Sequence, residues 1–149
     1  MNFWDSSAIL PLLVREENSD ATRCFLEEQT EMAVWWATSV ECVSALARKE
    51  REGRLSLAEM TIAQKNLNGI MENSLCVGAT ESVRRLAQKL LRRYPLRAAD
   101  SLQLAAACFL AGESTEDYGF VCNDERLTLA AAKEGFIIRS FQSEIDQNE

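Results

Sequence analysis

The strongest constraint on this fold is a rhythm. Short apolar runs alternate with longer stretches in which apolar residues recur at helical spacing. The runs are Asn2-Phe3-Trp4, Met32 to Trp36, Leu75-Cys76-Val77, Tyr118 to Cys122 and Phe136 to Arg139. Strands covered on both faces read as such runs. Strands separated by helices pair in parallel, because each return needs a crossover. The rhythm therefore predicts an α/β fold with a parallel sheet.

The intervening helices are expected over Ser6 to Leu13, Ser19 to Glu28, Thr38 to about Glu52, Leu55 to Asn73, Glu81 to Tyr94, Arg97 to Ala111 and Glu125 to Glu134. Pro11 is expected in the first turn of its helix, where a missing N–H costs least. The apolar positions expected to face inward include Ala21, Cys24 and Phe25 in the second helix. Val40, Val43, Leu46 and Ala47 are expected to do so in the third, and Leu57, Met60, Leu67 and Met71 in the fourth. Gly53, Gly112 and Gly135 read as helix stops. A chain of 149 residues suits one domain with a sizeable core. That domain is expected over residues 1–141, with an acidic, disordered tail over 142–149.

Composition narrows the chemistry. Histidine is absent, which excludes Ser-His-Asp and Cys-His catalysis. The five cysteines, Cys24, Cys42, Cys76, Cys108 and Cys122, form no C-x-x-C pair. Scattered cysteines and no histidine do not make a zinc site, and buried free thiols in a reducing compartment are expected. No apolar run is long enough to span a membrane. The N-terminus enters Asn2-Phe3-Trp4-Asp5 with no basic region, so no signal peptide and a cytoplasmic location are expected.

The stretch from Arg97 to Asp124 carries the chemistry. Asp100 sits inside an apolar helix among Ala98, Ala99, Leu102 and Leu104, and Asp124 ends an apolar strand. Asp5 likewise ends a strand, and Glu41 opens the helix after the second strand. In an open parallel sheet, ligands bind beyond the carboxyl ends of the strands, so all four acids can face one edge. Each also has a plain structural reading. Thr38-x-x-Glu41 matches a capping box, Asp5 and Asp124 suit N-caps, and Asp100 complements a helix dipole. Capping does not explain an acid inside the apolar helix from Arg97. Four converging carboxylates repel unless a divalent cation lies between them, and hard oxygen ligands select Mg²⁺ or Mn²⁺. One or two such ions suit phosphoryl displacement by water.

Four segments, in order, carry a family resemblance: Asp5-Ser-Ser-Ala-Ile-Leu, Ser39-Val-Glu41, Arg97-Ala-Ala-Asp100-Ser-Leu-Gln-Leu-Ala, and Cys122-Asn-Asp124-Glu-Arg-Leu. With them the chain, over residues 1–141, resembles the PIN-domain ribonucleases, most closely the VapC toxins of type II toxin–antitoxin systems. The resemblance implies a three-layer α/β/α sandwich around a mainly parallel sheet of about four to five strands. It implies a Mg²⁺- or Mn²⁺-dependent endoribonuclease leaving a 5′-phosphate and a 3′-hydroxyl. Asp5, Glu41, Asp100 and Asp124 would be its acidic quartet, with Ser6 and Asn123 supporting them. A cognate antitoxin and a second copy of the chain are the implied protein partners.

Net charge is −7, which taken alone argues against non-specific RNA binding. The basic run Arg84, Arg85, Lys89, Arg92, Arg93 and Arg97 is the candidate RNA surface, against the plainer reading of a solvated helix face. Trp35 and Trp36 are expected in the core. Two other readings compete: a stand-alone RNA-processing nuclease, and a non-catalytic interaction module on the same fold. Phosphotransfer domains fit poorly. The Asp-x-Asp of dehalogenase-like enzymes is missing at Asp5-Ser6-Ser7, and so are the paired early acids of a receiver.

Overall fold

A computed structural model describes residues 1–141; the stretch 142–149, expected to be disordered, lies outside the described residues. The elements run β1 (Asn2–Trp4), α1 (Ser6–Leu13), α2 (Ser19–Glu28), β2 (Met32–Trp35), α3 (Thr38–Arg51), α4 (Leu57–Glu72), β3 (Leu75–Val77), α5 (Glu81–Arg93), α6 (Ala98–Ala111), β4 (Gly119–Val121), α7 (Glu125–Lys133) and β5 (Ile137–Arg139). A short 3-10 turn, Thr115–Asp117, precedes β4.

All strand pairings are parallel, in the order β3-β2-β1-β4-β5. The chain builds outward from β1 through β2 to β3, then returns to the other side of β1 for β4 and β5. The reversal lies between β1 and β4, so the crevice where such sheets bind ligands opens beside Asp5 and Asp124.

Side-chain alternation in the strands sorts the core into two layers. Phe3, Ala33, Trp35 and Phe120 face one side, against Val83, Ala87 and Leu90 of α5, Leu104 of α6 and Leu127 of α7. Trp4, Met32, Val34 and Val121 face the other, against Ile9 of α1, Leu46 of α3 and Leu67 of α4. Helices therefore cover both faces, as the uninterrupted apolar strands require.

Several helical details differ from the sequence expectation. Pro11 lies inside α1 rather than in its first turn. Its missing N–H leaves the Ser7 carbonyl to accept instead from the Asn123 side-chain amide, at 3.3 Å. The α4 helix starts at Leu57 behind a Ser56–Glu59 capping box, and Leu57 itself is exposed. In α2, Thr22 is buried while Ala21 and Cys24 are exposed. Cys76 is also exposed, so the thiols are not uniformly buried. Val40 and Trp36, both expected inside, are exposed as well.

Candidate active site

Asp5 is positioned by the end of β1. Its N–H still bonds to the Val121 carbonyl across the sheet, at 2.9 Å, and its extended backbone then opens α1 as an N-cap. One carboxylate oxygen, Oδ2, accepts the Ser7 N–H at 3.1 Å, the Ser7 hydroxyl at 2.6 Å and the Cys122 thiol at 3.6 Å. The other, Oδ1, is buried with no hydrogen-bond partner among the described residues. A buried carboxylate oxygen left this way costs free energy unless something positive meets it.

Glu41 arrives from α3. The expected capping box does not form: Thr38 is the first helical residue and Ala37 stands at the cap with no side-chain bond. The Thr38 hydroxyl instead accepts the Trp35 N–H and meets the buried Gln103 amide. Gln103 Nε2 donates to Glu41 Oε2 at 2.7 Å. Ser6 also favours the charged form of Glu41, as the least of the influences on it.

Asp100 lies in the first turn of α6, one turn ahead of Gln103. A helical spacing of three puts both on one face, so α6 delivers an acid and the amide that steadies a second acid.

These elements bring ligand oxygens of Asp5, Glu41 and Asp100 within 4.8 Å of one another. Each acid is harder to ionise than usual, with burial as the first cause. The Glu41 carboxyl is pushed up to about 7, by burial and then by the Asp5 charge. Asp5 is raised by burial, against the opposing bonds from Ser7 and Cys122. Asp100 is raised by burial and by the charges of Asp124 and Asp5, with Arg97 opposing. Three such acids favour either shared protons or a divalent cation with oxygen ligands. The unpartnered Asp5 Oδ1 and the all-oxygen donor set fit a hard cation.

Asp124 does not join this trio. It caps α7, accepting the Leu127 N–H at 2.9 Å, although its charge is felt at Asp5 and Asp100. Asn123 supports the site from behind: its backbone N–H donates to the Ser7 hydroxyl at 2.9 Å, and its side-chain oxygen Oδ1 accepts the Phe141 N–H at 2.8 Å. Sequence reasoning missed Ser7, Cys122, Thr38 and Gln103. Ser7 was legible from Asp5-x-Ser7, a pattern in which the aspartate accepts a bond two residues on. Gln103 was legible from its spacing to Asp100; Cys122 carried no such signal.

The basic run is partly compensated. Arg84 and Arg85 pair with Glu81, and Arg93 pairs with Glu134 at 2.7 Å. Among the described residues Lys89, Arg92 and Arg97 make no ion pair.

No family model matches the chain, and no curated relative does. Solved structures do. PAE2754 from Pyrobaculum aerophilum is 19% identical, with a TM-score of 0.61, and the match covers 92% of this chain and 82% of that one. FitAcB from Neisseria gonorrhoeae is 16% identical at a TM-score of 0.64, over 95% of this chain and 97% of that one. VapBC2 from Rickettsia felis, solved with a DNA fragment from its promoter, is 10% identical at 0.64, over 95% and 98%. The chain has a PIN-like fold. Among the described residues of this PIN-like fold, no helix is long and apolar enough to cross a membrane.

Proposed function

We propose that this PIN-like protein is a Mg²⁺- or Mn²⁺-dependent endoribonuclease, the toxin of a type II toxin–antitoxin pair. The observation that carries the reading is the trio of Asp5, Glu41 and Asp100 at the strand-reversal edge of the sheet. Asp5, Glu41 and Asp100 would hold one or two metal ions, with Asp124 as a fourth, outlying acid. The bound ion would acidify a water and stabilise charge on the scissile phosphate. The chain's own part is orientation. Ser7 and Cys122 fix Asp5, Gln103 fixes Glu41 with Ser6 favouring its charge, and Asn123 fixes Ser7. Support of this kind commonly changes metal affinity or activity about ten- to a hundredfold.

The partners in this reading are RNA, an antitoxin and a second copy of the chain, in the cytoplasm. Lys89, Arg92, Arg97 and, less freely, Arg85 are the residues assigned to RNA phosphates. The antitoxin would present an arginine to the acids, since a guanidinium can satisfy several oxygens at once. Its apolar side chains would lie in the groove of Leu13, Val14, Leu55 and Ile62, edged by Arg15, Lys49 and Arg54.

The test is direct. A 5′-labelled RNA is incubated with the purified chain in Mn²⁺ and in excess EDTA. Cleavage to 5′-phosphate and 3′-hydroxyl ends is expected in Mn²⁺ and none in EDTA. Intact RNA under every divalent ion, or cleavage that ignores the chelator, would refute the nuclease.

A further inference from the structure

The sheet ends at β5, and the outer edge of that strand is not guarded as such edges usually are. The Ile137 N–H donates to the Tyr118 carbonyl and the Arg139 carbonyl accepts the Cys122 N–H, both at 3.0 Å. Residues 137 and 139 therefore bond inward, to the β4 side. Backbone groups alternate in direction along a parallel strand. The N–H and carbonyl of Ile138 thus point outward, where the sheet has no further strand among the described residues. A bare edge invites another strand, and charged side chains commonly prevent that. The charge on β5 is Arg139, and its guanidinium lies over the Phe25 ring, 5.8 Å from the centroid, on the sheet face that Phe25 helps to cover.

The helix beside that edge is apolar at its centre and charged at its ends. A groove between α7 and β5 is lined by Thr128, Leu129 and Ala132 from the helix and by Ile138 and Ser140 from the strand side, with Glu125 at the helix start. Leu129 is 58% exposed and Ile137 43%. Glu125, Leu129 and Lys133 stand four apart and form one row along α7. Glu125 and Lys133 are exposed, and among the described residues neither makes an ion pair. Arg126, the other base of the helix, stands one position past Glu125 and off its row. A two-fold axis beside Leu129 turns this row onto itself. Leu129 then meets its own copy, and each Glu125 meets a Lys133. Thr128 and Ala132 are small enough to let the two helices approach.

An unrelated partner needs no such symmetry, whereas contact between identical chains about a two-fold axis requires a self-complementary surface. We propose that the α7–β5 edge is a two-fold interface with a second copy of this chain. β5 pairs antiparallel with its copy about Ile138, each Ile138 N–H donating to the carbonyl of the other. The pairing joins two five-stranded sheets into one, and Leu129 closes the seam beside it. The two sheets run in opposite directions, so the edges that carry Asp5 open away from each other. The nuclease reading names a second copy but no surface for it; this interface supplies one and does not depend on that reading.

The experiment follows the full chain by sedimentation in EDTA, without RNA. It compares wild type, Leu129→Glu, Glu125→Lys and the exchange of Glu125→Lys with Lys133→Glu. Wild type should reach twice the chain mass, or four times where another face also pairs, over about 1–100 µM. Leu129→Glu should halve the assembled mass, because it brings like charges together at the axis. Glu125→Lys should raise Kd about tenfold by setting lysine against lysine, and the exchange should restore it to within about threefold of wild type. A role for Glu125 confined to the start of α7 predicts no rescue. Hydrogen exchange gives a second readout. The Ile138 amide should be protected in wild type and exchange about a hundredfold faster in Leu129→Glu, while the Ile137 amide, bonded to Tyr118, stays protected in both. A wild-type chain still monomeric at the top of that range overturns the interface, and is also the result expected if a different protein covers β5. A Leu129→Glu protein of unreduced mass, or an exchange variant no better than Glu125→Lys, overturns it too. RNA cleavage in Mn²⁺ is read on the same samples. Cleavage without assembly removes the interface and keeps the nuclease; assembly without cleavage does the reverse.

Discussion

The ends of β1 and β4 obey the same local rule and arrive at different chemistry. β1 is followed at once by Asp5 and β4, after Cys122 and Asn123, by Asp124; each aspartate caps the helix that follows, Asp5 through Ser7 and Asp124 through Leu127. Asp5 is 3% exposed, is held at one oxygen by Ser7 and Cys122, keeps its other oxygen unpartnered among the described residues, and brings a ligand oxygen close to those of Glu41 and Asp100. Asp124 is half-buried, bonds its own helix, and stays outside the trio. A capping pattern therefore says where a helix starts and nothing about membership of a site. Membership comes from what else converges on the acid: ligand oxygens of Glu41 from α3 and Asp100 from α6 both cluster with Asp5, whereas Asp124 meets Asp100 through its charge without joining that cluster.

The largest effect should follow from breaking the Asp5 side. Asp5→Asn and Asp100→Asn each keep shape and remove a charge from the trio. Metal-dependent cleavage should fall about a thousandfold or more. The metal-free proteins should be as stable as wild type or more so, because a repelling charge has gone. Gel-based cleavage rates and thermal melts in EDTA check both halves. Near-normal cleavage by Asp100→Asn would remove that residue from the site.

Gln103→Leu sharpens the comparison from the α3 side. The leucine fills the buried space but cannot donate to Glu41. Cleavage should drop about ten- to a hundredfold. Glu41, which the Gln103 bond helps to keep ionised, should become harder still to ionise, so the pH–rate profile should move to higher pH. A pure loss of stability with an unmoved profile would make Gln103 a packing residue only.

The trio also makes a stability prediction with a definite sign. Glu41 is raised from 4.5 to about 7, so between those values the folded chain holds more protons than the unfolded one. Stability then falls as pH rises through that window. Asp5 and Asp100 shift in the same direction and add to the loss. Asp20, held low by Arg15, has the opposite sign and acts at lower pH. In EDTA the chain should lose about 1–2 kcal/mol between pH 5 and pH 8, a figure discounted for the solvent that reaches Glu41. Mn²⁺ should remove most of the difference. Urea midpoints at the two pH values, with and without metal, decide it; a chain more stable at pH 8 in EDTA would contradict the trio's electrostatics.

Much of this was legible in the sequence because it rests on short-range rules. Uninterrupted apolar strands announced a sheet covered on both faces, and the order of strands and helices announced parallel pairing. The acids were legible because an ionisable residue inside Ala98–Leu104 conflicts with its surroundings. What stayed hidden depends on distant contacts. Thr38-x-x-Glu41 matched a capping box, but Gln103, from α6, takes Glu41, and Trp35 takes Thr38. The box that does form, Ser56–Glu59, meets no other side-chain hydrogen bond among the described residues. Trp36 continued an apolar run and was expected inside; it is exposed because β2 ends one residue earlier. Pro11 was expected at a helix start, and its place inside α1 depends on Asn123, far away in sequence.

The smallest predicted effect returns to Asp124 and separates its two roles. As a cap it needs an acceptor oxygen, which asparagine supplies and alanine does not. Asp124→Ala should therefore lose about 1 kcal/mol of stability, and Asp124→Asn only a few tenths. As an outlying acid it needs charge, which both variants remove. Its charge already reaches Asp5 and Asp100, yet its carboxylate lies outside their cluster. Both variants should accordingly cleave about tenfold more slowly, a loss well short of that for Asp5→Asn. Urea denaturation and cleavage rates at saturating Mn²⁺ read the two roles independently. If Asp124→Asn cleaves like wild type while Asp124→Ala is merely less stable, Asp124 belongs to α7 alone. If Asp124→Asn is as inactive as Asp5→Asn, the distinction between the two strand ends disappears when metal binds, and the acidic site is a true quartet.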